Sequence, residues 1–442
     1  MASVNPGDSE QGSTTTATEA PGEEPTDLIT TTDASAELLA NSIAEYLRIW
    51  LRRIRGGESG ALPVVVGLIA IVIFFQIRSS LFLSAGNLVN LMGQSVFIIT
   101  LGMAEIFVLL LGDIDLAAGY TAACGAVIAL WMLALNDPWW AAVLAALAAT
   151  AAYGALQGII IAKLRLPSFV VTLAGQLGLS GLLLYLISAT GSIGTGGIIR
   201  LQNSIVNDIE GGWLTPTATW IVMMVIVVLA ALVMFYGDYR RRSSGLVAPP
   251  VSITLLKAAA VIVAGIIVVL IANTNRSNGV IPIEGMPWAV LVMLAILFLW
   301  TMLLGRTRFG RYVYAIGGNA EAARRAGINI VRIRTLAFLL CGLTAGMTGI
   351  IYASYLGSIS SNVPGGQNVL NAVAAAVIGG TSLFGGRGKM LHAVLGGLVV
   401  GVINNGLQLL GLSASAQLMW TALVLLAAII VDRVTRRSQS AT

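Results

Sequence analysis

The 442-residue chain is 57% hydrophobic and only 10% charged, whereas a soluble globular protein carries about 25% charged residues, so most of its surface faces lipid. The formal net charge of +5 would point to nucleic acid in a soluble protein, but the arginines are distributed in a way that indicates membrane orientation instead. The single histidine, His392, excludes a histidine-based metal cluster, and Cys124 and Cys341 lie in apolar runs, which argues against a disulfide framework.

The first 45 residues have a composition unlike the rest of the chain. They contain nine acidic residues and no lysine or arginine, and such a segment cannot bury a core. We therefore predict that residues 1–45 form a disordered acidic cytoplasmic tail. Residues 46–60 alternate apolar residues with Arg48, Arg52, Arg53 and Arg55, which predicts a basic juxtamembrane helix on the inner membrane surface.

Apolar runs of about 20 residues, the length that crosses a bilayer, recur from residue 61 to residue 432. They predict twelve spans, at 61–77, 88–111, 116–135, 139–163, 168–189, 217–237, 253–273, 287–305, 333–356, 367–384, 390–411 and 415–432. The predicted fold is an all-α polytopic membrane protein, followed by a cytoplasmic C-terminal tail at residues 433–442.

The positions of the basic residues orient these spans. If the first arginine cluster lies inside and the chain changes side at each span, every lysine and arginine falls on the inner side except Arg78, Arg200 and Arg276. Such an asymmetry follows the positive-inside rule. It predicts an even number of spans, with the N and C termini both cytoplasmic.

The sequence Gly112-Asp-Ile-Asp-Leu-Ala-Ala-Gly119 ends one predicted span and opens the next. Carboxylates at a span boundary are costly unless they are paired, hydrated or capping a helix. Asp113 and Asp115 therefore indicate a turn, and Asp115 is placed to cap a helix that begins at Leu116. Glu105 lies deeper in the same span, where it either lines an aqueous path or makes a structural hydrogen bond inside the bundle.

Uncharged amides are the other polar groups within the spans. An amide offers donors and an acceptor without a net charge, which suits the hydroxyl groups of a sugar, although the same groups also join helices in any bundle. With few titratable groups in the spans, a path for ions or protons is less well supported than one for a neutral solute. The predicted substrate path consists of Gln94, Glu105, Gln157, Asn404, Asn405 and Gln408, with Gln176 a further mid-span amide.

A basic segment from Arg306 to Arg334 separates two apolar runs and contains seven arginines and one acid, Glu321. Within it, Asn319 is followed by an early acid, an alanine-rich middle, late arginines and Gly327, the pattern of a short capped helix. We predict that residues 306–332 form a cytoplasmic loop whose rigid helix a partner protein pushes against.

The Gly-rich stretch Gly379–Lys389 superficially resembles a phosphate-binding loop. A phosphate-binding loop has Gly five residues before the Gly of a Gly-Lys pair and Ser or Thr directly after the pair, but Leu383 and Met390 occupy those positions. ATP hydrolysis by this chain therefore has no support, and neither has an enzymatic function of another kind. We predict a tight, non-helical turn near the membrane surface. Its likeness to the turn at Gly112–Gly119 is weak evidence that the two halves of the chain arose by duplication.

Four motifs, in this order, resemble the permease subunits of ribose-, galactose- and xylose-type ABC sugar importers. They are GDIDLAAG at Gly112–Gly119, LPSFVVTL at Leu166–Leu173, AIGGNAEAARRAGI at Ala315–Ile328 and GGTSLFGGRG at Gly379–Gly388. The C-terminal region resembles the last two helices of that family. One position departs from it, because Ala117 stands where the family has serine.

The resemblance implies a ten-helix type II importer core, here with two extra spans around 253–305. It also implies two permease copies in a homodimer, a separate ABC ATPase that holds ATP and Mg²⁺, and an external sugar-binding protein. No cofactor is expected on this chain, the expected location is the bacterial plasma membrane, and xylose is the first candidate sugar. The residues that match the ATPase-coupling region are Gly317, Gly318, Asn319, Glu321, Ala322, Arg324, Arg325 and Gly327.

The sequence leaves two alternative functions open. A stand-alone secondary transporter driven by a cation gradient also fits twelve spans with both ends inside, although it needs a charged coupling site. A permease for branched-chain amino acids or autoinducers, from the same superfamily, is not excluded by the motifs.

Overall fold

The structure is a computed structural model that describes residues 62–190, 197–245, 250–277, 282–413, 415–423 and 426. The predicted acidic tail, juxtamembrane helix and C-terminal tail lie outside these residues. The helices are α1 (Leu62–Arg78), α2 (Ala85–Leu109), α3 (Ala118–Ala134), α4 (Trp139–Leu164), α5 (Ser168–Ala189), α6 (Ser204–Gly211), α7 (Pro216–Ser243), α8 (Val251–Ala272), α9 (Trp288–Arg306), α10 (Arg308–Gly318), α11 (Ala320–Arg325), α12 (Ile330–Leu356), α13 (Gly365–Ile378) and α14 (Met390–Leu409).

Eight helices within the described ranges are long and apolar enough to cross a membrane. They are α2, α4, α5, α7, α8, α9, α12 and α14. Three shorter apolar helices, α1, α3 and α13, coincide with further predicted spans. The prediction of an all-α polytopic membrane protein is confirmed. The number twelve stays a prediction, since the structure describes the last span, 415–432, as helix at residues 415–423.

Helix α12 runs through the middle of the bundle and packs closely on α4. A Cβ atom added at Gly154 would lie 2.2 Å from the carbonyl oxygen of Phe338, and one added at Gly342 would lie 2.3 Å from that of Thr150. The two backbones can approach this closely only because these positions have no side chain. Small residues four apart on α12, Gly342 and Gly346, thus act as a helix-packing face.

The helices α7 and α8 form a hairpin at the periphery. A hydrogen bond from Thr254 Oγ1 to Asp238 Oδ2 joins them, while Leu229 and Ile267 are more than half exposed, as expected of a surface that faces lipid. The two extra spans around 253–305 that the resemblance implies correspond to α8 and α9. Helix α8 is peripheral. Helix α9 is not, because Trp300 packs edge-on against Phe107 of α2 at 5.4 Å between ring centroids.

Loops that the orientation predicts on one side also meet in the structure. At one end, strand β1 (Ile198–Arg200) pairs antiparallel with β2 (Ser358–Ser360), and the amide of Glu210 in α6 donates to Ser354 Oγ at the end of α12. At the opposite end, the turn after α2, the helices α10 and α11, and the turn after α13 lie together. We call these the outer end and the inner end.

Candidate functional site

Two glycine-rich turns contact each other at the inner end. The amide of Gly386 donates to the carbonyl oxygen of Leu110 at 2.9 Å. Gly112, Gly385 and Gly386 have φ angles of +80°, +84° and +73°, a left-handed conformation that glycine adopts without steric cost. The predicted tight, non-helical turn is confirmed at both places, and the two turns form one unit through their backbones.

Helix α10 packs directly onto this unit. A Cβ atom at Gly317 would lie 1.8 Å from the carbonyl oxygen of Leu110 and 2.5 Å from the amide of Gly386. On the same helix, Tyr314 Oη donates to the carbonyl oxygen of Gly388 at 2.7 Å, and burial raises the pKa of this phenol. Because no side chain intervenes at Gly317, the backbone of α10 lies in direct contact with both turns.

Helix α11 is the predicted capped helix, and its cap is confirmed. Asn319 Oδ1 accepts from the amide of Ala322 at 2.9 Å, Glu321 lies 3.3 and 3.4 Å from the guanidinium groups of Arg324 and Arg325, and Gly327 follows with φ +82°. Both arginine side chains are more than half exposed. The inner end therefore presents a short, rigid helix with exposed cationic groups.

A buried ion pair connects the first turn to α12. The Nε atom of Arg334, the fifth residue of α12, lies 2.8 Å from Asp113 Oδ2, with side-chain exposures of 24% and 9%. Nearby, Asp115 Oδ1 accepts from the amide of Ala117 at 3.0 Å. The prediction that Asp115 caps a helix beginning at Leu116 is wrong, because the helix begins at Ala118 and its N-cap, Ala117, makes no side-chain cap hydrogen bond. Asp115 instead stabilises the turn before the helix, by accepting from the amide two residues on. Neither oxygen of the fully buried Glu105 has a hydrogen-bond partner among the described residues.

Three of the predicted path residues come together between α2 and α14, nearer the outer end. Gln94 Nε2 donates to Gln408 Oε1 at 3.3 Å, and Asn405 Nδ2 donates to Gln94 Oε1 at 3.3 Å. Asn405 Oδ1 also accepts from Asn87 Nδ2 at 2.9 Å. We call Asn87, Gln94, Asn405 and Gln408 the amide cluster.

The other predicted path residues lie apart from the amide cluster. Gln157 donates to Tyr153 Oη at 3.0 Å within α4, and a Cβ at Gly175 of α5 would meet both side chains. Asn404 is partly exposed on α14, and Glu105 lies in the interior close to the inner-end turn. Sequence reasoning missed Asn87 and Asn90, although with Gln94 they recur at helical spacing on one face of α2.

Glu210 lies in α6 at the outer end, and a glutamate is almost never fully buried unless it is paired. Its side chain is instead only 7% exposed and lies against Gly93 of α2, where a Cβ would meet Glu210 Oε1. Burial raises the pKa of this carboxyl to about 7. Asp208, two residues earlier in α6, has an exposed side chain.

Comparison with known proteins gives one family and a consistent set of relatives. Residues 87–431 match the family described as branched-chain amino acid transport system / permease component. The chain is 31% identical over 370 residues to the ribose import permease protein RbsC of Escherichia coli (strain K12), which covers 83% of this chain and 92% of that protein. It is 32% identical over 378 residues to the xylose transport system permease protein XylH of the same organism, over 85% and 92% of the two chains. A 145-residue stretch, 33% of this chain and 44% of the relative, is 43% identical to the ribose import permease of Bacillus subtilis (strain 168). No solved structure matches the chain.

Proposed function

The chain belongs to the family of branched-chain amino acid transport system permease components, and from this membership we propose that it is the membrane subunit of an ATP-driven monosaccharide importer. As a permease subunit it is a transport protein of the bacterial inner membrane and not an enzyme. The proposed partners are an ABC ATPase that binds ATP and Mg²⁺, an external sugar-binding protein and a second copy of this chain.

The observation that carries the proposal is the backbone contact of Gly317 with both glycine-rich turns. A partner can shift a transporter between two states only if it contacts those states differently. The exposed helix α11 offers such a contact surface, and the neighbouring α10 transmits the displacement to the turns that end α2 and α13. ATP binding on the partner would thereby move the helices that border the substrate path.

Uncharged groups in the path support a neutral, hydroxyl-rich solute. The amide cluster offers donors and acceptors without a net charge. The printed names of the relatives include a ribose and a xylose permease, so a pentose is the proposed substrate, with xylose first. Similarity to permease components does not favour the stand-alone, cation-coupled transporter.

Reconstitution tests this function. We expect proteoliposomes that contain the chain with its ATPase to take up labelled xylose or ribose only when ATP is inside and the sugar-binding protein is outside. A matched preparation with an ATPase that cannot hydrolyse ATP should take up none. Uptake by the chain alone, driven by a cation gradient, would contradict the proposal.

A further inference from the structure

Helix α6 packs on the outer end of the bundle, where it contacts both α2 and α12. The amide of Glu210 donates to Ser354 Oγ at 2.9 Å, and the same hydroxyl donates to the carbonyl oxygen of Asn207 at 2.9 Å. The Oε1 atom of Glu210 lies so close to Gly93 that a Cβ atom there would not fit. Glu210 thus joins α6 to α12 by its amide and to α2 by its carboxyl group.

The carboxyl group lies where α2 and α12 face each other. On α2, Asn90, Gly93 and Phe97 recur at helical spacing and share one face. On α12, Tyr355 Oη donates to Asn90 Oδ1 at 3.4 Å, and its ring would lie 3.7 Å from a Cβ at Gly93. A separation of α2 from α12 at the outer end therefore has to move Glu210.

The Glu210 carboxyl group has no opposite charge beside it. Its Oε2 atom is buried without a hydrogen-bond partner in the part of the chain that the structure describes. The helices α2, α9 and α12 contact α6, and their charged residues lie toward the inner end, at Glu105, Arg306, Arg332 and Arg334. Even Glu105 is 12 residues beyond Gly93, about 18 Å along α2. The titratable side chain next to the carboxyl group is the phenol of Tyr355.

Such a group is held in its neutral form, because burying an unpaired carboxylate costs far more than burying the neutral acid. Burial alone raises the pKa of Glu210 to about 7, whereas an exposed glutamate has a pKa of about 4.3. Packing of α6 is therefore most favourable below about pH 4.3 and weakens by up to about tenfold per pH unit above it. Above about pH 7, this contribution is lost.

We propose that Glu210 is a positioning residue that, when protonated, holds α6 against α2 and α12 and so keeps the outer end closed. On opening, the carboxyl group enters water and gives up its proton to it. The inference rests on the proposed import, because this is the end at which an external binding protein would deliver sugar. Acid then opposes the outward opening, and a rise in pH favours it.

Hydrogen exchange of the α6 amides, measured by mass spectrometry on the full chain in lipid nanodiscs, tests the packing directly. After correction for the pH dependence of intrinsic exchange, protection of α6 should fall about tenfold or more between about pH 5.5 and about pH 7.5. Glu210→Gln, which is neutral at both pH values and similar in shape, should keep the higher protection at both. The matched control is Asp208→Asn, which removes an exposed acid of the same helix and should behave as the unaltered chain does.

Sugar uptake by the reconstituted complex with saturating binding protein provides a second readout. We expect uptake to be lower at about pH 5.5 than at about pH 7.5, and Glu210→Gln to keep the lower value at both, relative to Asp208→Asn. An unchanged pH dependence of uptake in Glu210→Gln would show that α6 does not control the outer opening.

Equal protection of α6 at both pH values in the unaltered chain would overturn the role of Glu210, and this measurement does not depend on any variant. A fall in protection in Glu210→Gln as large as in the unaltered chain would also overturn it. Exchange requires neither sugar nor ATPase. If the complex moves no sugar, the proposed function fails, and hydrogen exchange still decides whether Glu210 holds α6.

Discussion

Gly317→Ala is expected to abolish sugar uptake, while Gly318→Ala, in the same predicted coupling region, is expected to leave the packing of α10 on the turns intact. A methyl group at Gly317 would lie 1.8 Å from the carbonyl oxygen of Leu110, whereas one at Gly318 would meet nothing within 4 Å. In Gly317→Ala, α10 must therefore move away from both turns by more than about 1 Å. A misplacement of this size can lower a rate by about 100-fold. Uptake by the reconstituted complex measures the effect.

The two glycines make a close pair for this comparison, since they are adjacent in one helix and receive the same substitution. ATP hydrolysis measured in parallel separates the loss of coupling from the loss of the complex, because an uncoupled complex still hydrolyses ATP. Full uptake by Gly317→Ala would show that the contact between α10 and the turns does not transmit motion.

Arg334→Gln is expected to destabilise the protein strongly. It leaves Asp113, with a side chain 9% exposed, as a buried carboxylate without its cation, and breaking a buried pair costs about 3–5 kcal/mol. The charge swap Asp113→Arg with Arg334→Asp should recover part of that loss. Thermal unfolding of the purified protein, analysed as a double-mutant cycle, measures the coupling between the two residues.

Arg325→Gln is the matched control for that cycle. It breaks the pair of Arg325 with Glu321, where the arginine side chain is 81% exposed, and an exposed pair contributes about 1 kcal/mol or less. Equal shifts in the unfolding temperature for Arg334→Gln and Arg325→Gln would contradict a structural role for the buried pair.

The features that sequence analysis predicted well have local signals. Runs of apolar residues mark the spans, and the helix cap at Asn319 follows from residues a few positions apart. Helix α10 was missed, although Phe309, Val313 and Ile316 recur at helical spacing within the basic segment. The arginines among these apolar residues indicated only a cytoplasmic loop, so the amphipathic pattern was not interpreted as a helix.

The features that sequence analysis could not find depend on contacts between distant parts of the chain. Nothing in the Ala-Ile-Gly-Gly-Asn stretch distinguishes Gly317 from Gly318, because the difference arises from Leu110 and Gly386. Likewise, the rarity of amides in the spans singled out both Gln94 and Gln157. Only helix packing places Gln94 beside Asn405 of α14 and Gln157 against Gly175 of α5.

The inner end, with α10 and α11, is expected to be cytoplasmic and to meet the ATPase. Single cysteines at Ala320 in α11 and Asp208 in α6 test it, since both positions are exposed and the native Cys124 and Cys341 are buried. A membrane-impermeant maleimide should label position 320 only in inside-out vesicles, more slowly when the ATPase is bound, and position 208 only in intact spheroplasts. Labelling of position 320 from outside intact spheroplasts would show that the inner end is not cytoplasmic.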